Sequence, residues 1–209
     1  MSIPSQGNVL LTFVTPVLAR RWPDAADLNR RLGELILAAE SRDPGMARSN
    51  VGGWHSNDDF FRWEDPAIGE LVSRIQEGTR EITMQVCGEG IKGRDAEMAI
   101  SGWANVSRDR AYNRPHDHLR YTWSGVYYVT LGENDPSAAN SGAIEFLDPR
   151  LGVDFSQLPG ATVGPFLRVQ PESAMMLMFP SWLRHWVHPF HGRGERISIA
   201  FNVSLTFPG

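Results

Sequence analysis

The sequence predicts an α+β fold, mainly β, with two helices ahead of a run of short strands. Three observations predict it. Apolar residues recur at helical spacing in two segments before residue 90. From Glu97 onward the pattern changes to short β-branched and aromatic runs separated by Gly, Pro and Asn turns. The chain has 209 residues, enough to bury a sizeable core. Two helices followed by roughly eight short strands pack best as a double-sheet or closed jelly roll with the helices on one sheet. No internal repeat or linker is visible. We therefore expect a single domain over 1–209, with a helical part at 1–95 and a jelly-roll core at 96–206.

The elements follow in order. Val9 to Val17 is rich in β-branched and aromatic residues and reads as a strand. Asp24 to Glu40 reads as a helix whose stripe is Leu28, Leu32, Leu35, Ile36 and Ala39, with Pro23 where a first turn tolerates it. Ser41 to Gly53 is a polar loop. Pro66 to Val86 is a second helix with Ile68, Leu71, Val72, Ile75 and Ile82 on one face, broken by Gly88, Gly90 and Gly93. Strands are then expected at Met98–Val106, Trp123–Leu131, Ala143–Leu147, Phe166–Val169, Ala174–Phe179, Trp186–Val187 and Arg196–Ser204. Asp109–Pro115 is expected as a turn, Glu133–Ser141 as a surface loop and Leu151–Pro165 as a long loop.

Composition narrows the function. A net charge of −4 with no basic block argues against a nucleic-acid backbone as partner. The apolar run Val9–Ala19 is too short to span a membrane and has no positive segment before it. Cys87 is the only cysteine, so no internal disulfide can form, and a reducing, cytoplasmic setting is the simplest. A homodimer is compatible with the sequence, which sets no oligomeric state. Gly52-Gly53 and Gly88 to Gly93 lack the lysine-serine/threonine signature of a phosphate loop.

Chemistry concentrates between Asn113 and Asn202. On a strand, His116 and His118 point to one face and Asp117 to the other. Two imidazoles joined by a third from a distant strand hold a divalent metal on one triangular face and leave the opposite positions open. His185 follows 69 residues after His116, and Arg196, 11 residues further, can clamp a carboxylate with two parallel hydrogen bonds. Arg196 and Ser198 share a strand face. Imidazole suits Fe, Zn, Cu and Ni alike, so residue type alone does not choose the metal.

Read together, HDH, SGVYYV, GAIEFLDPR, LMFPSWLRHWVHP and RISIAFN resemble the 2-oxoglutarate/Fe(II)-dependent oxygenases of the double-stranded β-helix superfamily. Within it they resemble a bacterial branch with His-x-His in place of the usual His-x-Asp. The resemblance runs from about Thr15 to Ser204, and Ser49–Ser56 is part of it. It implies Fe(II) on His116, His118 and His185, replaceable by Ni, Zn or Co in a purified sample. His185, Val187 and Pro189 match the His-x-Val-x-Pro pattern of the distal ligand. It implies 2-oxoglutarate as co-substrate, its far carboxylate held by Arg196 and Ser198 with Tyr128, while Tyr127 faces the other side. Asn105 and Asn113 are placed to reach the co-substrate or the metal-bound water, and Asn202 the same pocket wall.

Alternatives stay open at several positions. Asp117 ligates if a bulge turns it inward. His188 competes with His185, and His191 sits in a solvated turn. His55 lines the pocket mouth or caps a backbone group in a surface loop. Trp182, Trp186, Phe179 and Pro180 read as core and rim, and Asp148-Pro149-Arg150 as a turn capped by its own aspartate. Ala174 stands where the family carries glycine and fits only if φ there is negative. The function implied is a hydroxylase acting on a small-molecule or peptide substrate. The rivals are a three-histidine dioxygenase that does not use 2-oxoglutarate and a non-catalytic jelly-roll binding module.

Overall fold

The computed structural model describes residues 14–92, 94–150 and 165–207. Eleven strands among them form two antiparallel sheets. They are β1 (Leu18–Arg21), β2 (Asn50–Val51), β3 (Trp54–His55), β4 (Glu97–Ser107), β5 (Tyr112–His116), β6 (Trp123–Asn134), β7 (Ile144–Leu147), β8 (Phe166–Val169), β9 (Met175–Pro180), β10 (His185–Val187) and β11 (Gly192–Thr206). The larger sheet runs β1-β9-β6-β11-β4-β3 and the smaller β2-β5-β10-β7-β8. The jelly-roll expectation is met, with two helices on the larger sheet.

Helix α1 (Ala26–Glu40) buries Leu28, Leu32 and Ile36, the stripe read from the sequence. It starts two residues later than expected, leaving Pro23 and Asp24 in a turn. Each fully buried Leu or Ile contributes about 1.5–3 kcal/mol. Helix α2 (Pro66–Cys87) has its start set by chemistry: Asp65 accepts from the Ala67 amide at 2.8 Å, and Pro66 occupies the first turn. Its buried face carries Ile68, Leu71, Ile75 and Ile82. Both helices cover one core with Val106, Met176, Met178, Ile199, Phe201 and Val203 of the larger sheet. Asn29 ties α1 to β6, accepting from the Tyr127 hydroxyl at 2.6 Å and donating to the Val129 carbonyl at 2.9 Å. A second apolar cluster, with Tyr128, Phe146, Leu177, Phe179 and Leu183, fills the space between the sheets. No helix among the described residues is long and apolar enough to cross a membrane.

The structure departs from the expected elements at four places. The first described strand is Leu18–Arg21, not Val9–Val17. Residues 14–17 form no strand and 9–13 lie outside the described residues; Pro16 cannot donate to a ladder, so pairing begins after it. Asp109–Pro115 is not all turn: only its first part is, and Tyr112–His116 forms β5. Pro115 is tolerated there because the β5–β10 register shifts between Asn113 and His116, the mark of a bulge. The region 1–95 is not purely helical beyond its first strand, since β2 and β3 each add an edge strand. The expected loop Leu151–Pro165, save for Pro165, and Gly93 lie outside the described residues.

The fourth departure is Ala174, whose φ is +64°. Its N–H donates to Tyr128 O at 2.8 Å, and its carbonyl accepts from Trp22 N at 3.2 Å. Two strands therefore hold an alanine in the left-handed region, at about 1–2 kcal/mol of steric cost. Ala174→Gly removes that cost and adds about 0.5–1 kcal/mol of unfolded-state entropy. The expected outcome is a gain of roughly 0.5 kcal/mol, read as a melting temperature about 1–2 °C higher by calorimetry.

Candidate metal and co-substrate site

His116 closes β5, and His185 opens β10 as its direct cross-strand partner. His118 lies beyond the strand, held by its own amide donating to Ser181 O at 2.9 Å. The two do not share the face of one strand, as the spacing suggested; the chain leaves the sheet at His116 and returns His118 to the same side. Ligand atoms of the three imidazoles all lie within 4.8 Å of one another. The ring centroids are 4.5–5.3 Å apart.

Backbone carbonyls set two of the tautomers. His116 Nδ1 donates to Arg114 O at 2.7 Å and His185 Nδ1 to Leu183 O at 2.8 Å. Each ring is left with a bare Nε2 lone pair, the form a metal takes. Burial, and then the neighbouring His116, drive His185 down to about 3 and His118 to about 4; burial also lowers His116. The trio is neutral at pH 7. Asp117 is exposed despite the bulge in β5 and is not in the cluster. His188 is not in it either: it bonds Glu145 at 3.1 Å and stacks on Trp186.

Behind the histidines, the interior face of the larger sheet carries a polar row. Tyr128, Ser198 and Asn105 are cross-strand neighbours on β6, β11 and β4, and Arg196 lies two residues along β11. All four are buried. Arg196 donates to Gly142 O at 3.0 Å and lies over the Tyr128 ring at 5.2 Å. Arg196 Nε, the Tyr128 hydroxyl and Asn105 Oδ1 have no hydrogen-bond partner. Burial pushes the Tyr128 phenol up to about 12, against the pull of Arg196, and lowers the guanidinium. An unsatisfied buried polar atom costs about 1–3 kcal/mol. The two unpaired donors, Arg196 Nε and the Tyr128 hydroxyl, on a guanidinium with no carboxylate partner and the ring beneath it, fit a bound anion, while Asn105 Oδ1 can only accept.

A cleft of about 420 Å³ opens beside His116 and His118, lined also by His55, Trp103, Tyr121 and Asn202. His55 combines two of its expected roles, since it lines the cleft and its Nδ1 donates to Ser56 O at 2.6 Å, but it is buried rather than on the surface. Asn202 accepts from Ser124 Oγ at 2.6 Å. Asn113 faces elsewhere, donating to Ser49 Oγ. Phe179 and Pro180 are core, Trp186 is half-buried and Trp182 is exposed. Asp148 accepts from Arg150 N at 2.9 Å, as a self-capped turn should.

Sequence reasoning missed Gly142, Trp103 and Glu145. At Gly142, φ is +64°, and a Cβ would stand 2.9 Å from Arg196 Nε, so glycine lets the backbone meet the guanidinium. Its only sequence signal is a glycine just before a strand. Glu145 is a lone charge in an apolar run. It accepts from Arg168, Trp186 and His188 on the outer face of the smaller sheet, tying β8, β10 and the residue just past β10 to β7. Burial by itself would raise its pKa; the bonds from Arg168, His188 and Trp186 overcome this and lower it. A depressed carboxylate stabilises the fold above its ordinary value of 4.5 and loses that contribution as pH falls below it. Glu145→Gln should cost about 1–3 kcal/mol at pH 7 by urea unfolding. The gap from wild type should shrink at about pH 3.5.

The family described as "Putative 2OG-Fe(II) oxygenase" matches residues 101–202. No curated protein matches the sequence. Among solved structures, a prolyl-4-hydroxylase of Pseudomonas putida is similar at TM-score 0.60 and 18% identity, over 90% of this chain and 91% of that one. HygX of Streptomyces hygroscopicus, solved with nickel, 2-oxoglutarate and hygromycin B, is similar at TM-score 0.60 and 12% identity, over 91% and 83%. A prolyl hydroxylase of Trichoplax adhaerens, in complex with a hypoxia inducible factor peptide fragment, is similar at 0.57 and 12%, over 90% and 83%. At these identities the structures share the fold. The matched residues 101–202 are the segment that carries all three histidines and Arg196, so the likeness to the 2OG-Fe(II) oxygenases covers the whole candidate site.

Proposed function

We propose that the protein is a non-heme Fe(II), 2-oxoglutarate-dependent hydroxylase acting in the cytoplasm as a single catalytic domain. His116, His118 and His185 hold the metal, and Arg196, Ser198, Tyr128 and Asn105 hold the far carboxylate of 2-oxoglutarate. The observation that carries this reading is the buried polar row in which two donors, Arg196 Nε and the Tyr128 hydroxyl, lack partners. Neither a three-histidine dioxygenase that oxidises its substrate directly nor a binding module has a use for that row. The solved relative with nickel and 2-oxoglutarate bound supports the same pairing of metal and co-substrate.

Bound together, iron and 2-oxoglutarate supply the oxygen activation that hydroxylates a C–H bond and releases succinate and CO2. The chain's own residues do the positioning. The carbonyls of Arg114 and Leu183 aim two imidazoles by fixing their tautomers. Three neutral imidazoles leave the metal its full charge, which favours a dianionic co-substrate over a neutral one. Arg196, with no acid to neutralise it, supplies the complementary cation at the far end. Phe146 and Phe179 pack on His185 and keep water from that side.

Anaerobic titration of the Fe(II)-loaded protein with 2-oxoglutarate tests this directly. A visible charge-transfer band is expected in wild type, weakened at least tenfold in apparent affinity by Arg196→Ala and abolished by His185→Ala. Metal binding without a band would sink the co-substrate and leave the three-histidine dioxygenase. Failure to bind metal would leave the binding module.

A further inference from the structure

The cleft beside the histidines contains two polar groups that the chemistry above does not use. Ser124, itself buried, donates to Asn202 Oδ1 at 2.6 Å. That bond turns the Asn202 amide so that its NH2 is left with no protein acceptor. His55 gives its Nδ1 proton to Ser56 O, so its Nε2 keeps a lone pair and has no protein donor. One is a fixed donor and the other a fixed acceptor, and both line the same cleft.

The sheet register places them on opposite flanks of Trp103. Asn202 pairs with Ser101 on the β11 side of β4, and His55 pairs with Asn105 on the β3 side. Trp103 lies midway between Ser101 and Asn105 on the same strand face. Its indole stacks on His55 at 5.2 Å and 12°, and meets His118 at 5.4 Å. Strand spacings put the Asn202 and His55 Cα atoms roughly 16 Å apart. An extended molecule crossing the indole spans that distance and meets both groups.

The charge of the lining narrows the ligand. Arg48 and Asp58 are its only formally charged residues, and they pair with each other at 3.4 Å. Burial lowers His55, so it too is neutral. A divalent metal on His116 and His118 would add two positive charges, which a dianionic co-substrate would cancel; with both bound, the lining has no net charge to offset the desolvation of an ionic substrate, whereas fixed donors and acceptors suit a neutral one.

We propose that this cleft binds an uncharged, amide-bearing chain. Asn202 donates to a carbonyl oxygen on one flank of Trp103, and His55 accepts an amide N–H on the other. Taking that chain as the substrate rests on the oxygenase reading; its binding does not. Asn202 and His55 then decide which molecule is laid across the metal centre, and Ser124 acts as a positioning residue for Asn202.

The test is an NMR titration of the full-length protein, loaded with Zn(II) and 2-oxoglutarate, with N-acetyl-alanyl-alanine N-methylamide. N-acetyl-alanyl-alanine, with its free carboxylate, serves as the charged comparison. The expected result is a shift of the Asn202 side-chain amide and Trp103 indole resonances, with the neutral probe bound at least fivefold more tightly. Asn202→Asp keeps an acceptor for Ser124 but replaces the donor and should weaken the neutral probe about tenfold; His55→Phe keeps the ring on Trp103 and should weaken it similarly. Silent Asn202 and Trp103 resonances in wild type, equal binding of the anion, or an unchanged affinity in Asn202→Asp would each overturn the proposal. Probe binding in a protein that shows no charge-transfer band would remove the oxygenase reading and leave the cleft assignment standing.

Discussion

The alternation of side chains along β11 is the constraint on which the rest of the molecule depends. This fifteen-residue strand is paired with β4 on one side and β6 on the other over nearly its whole length. Ile197, Ile199, Phe201 and Val203 face the helices, while Arg196, Ser198 and Asn202 face the space between the sheets. A slip of one residue would exchange the two sets, placing a guanidinium in the helix-facing core and isoleucines in the anion pocket. The large apolar residues on the odd positions therefore fix where the polar even positions stand. The energy that specifies the site comes from the face that takes no part in its chemistry.

That arrangement explains how the chain tolerates a costly polar interior. Arg196, Tyr128 and Asn105 are buried with atoms unsatisfied, and three neutral histidines cluster where like charges would repel. None of these unpaired or clustered polar groups stabilises the fold. The two apolar clusters, one under the helices and one between the sheets, offset them. Rigid framing also sets the geometry: Gly142 brings a carbonyl to Arg196, and Glu145 grips the outward side chains of β10, whose inward residue is His185.

Much of this was legible along the chain because it is written in local periodicity. The stripes of α1 and α2, the alternation of RISIAFN and the ordered motifs from His116 to Ser198 announce the helices, the central strand and the candidate ligands. Where the reading failed, a contact distant in sequence had intervened. Ala174 is held at positive φ by Tyr128 and Trp22. Pro115 lies in a strand because a bulge accommodates it, and β1 begins only after Pro16. Asp117 and His188, both chemically able to ligate, are turned away by a strand end and by Glu145.

The sequence by itself determined the fold class, the residue types at the candidate metal and anion sites, and the likeness to a family, since each is a matter of pattern and order. Tertiary structure decided which of six histidines converge, which tautomers two of them adopt, and that Arg196, Tyr128 and Asn105 lie buried on one sheet face. It also decided the floor of the cleft, where Asn202, Trp103 and His55 come from three strands. The physical reason is pairing register. A strand's own sequence says which side chains share a face, but their neighbours across the sheet depend on hydrogen bonds closed over tens of residues.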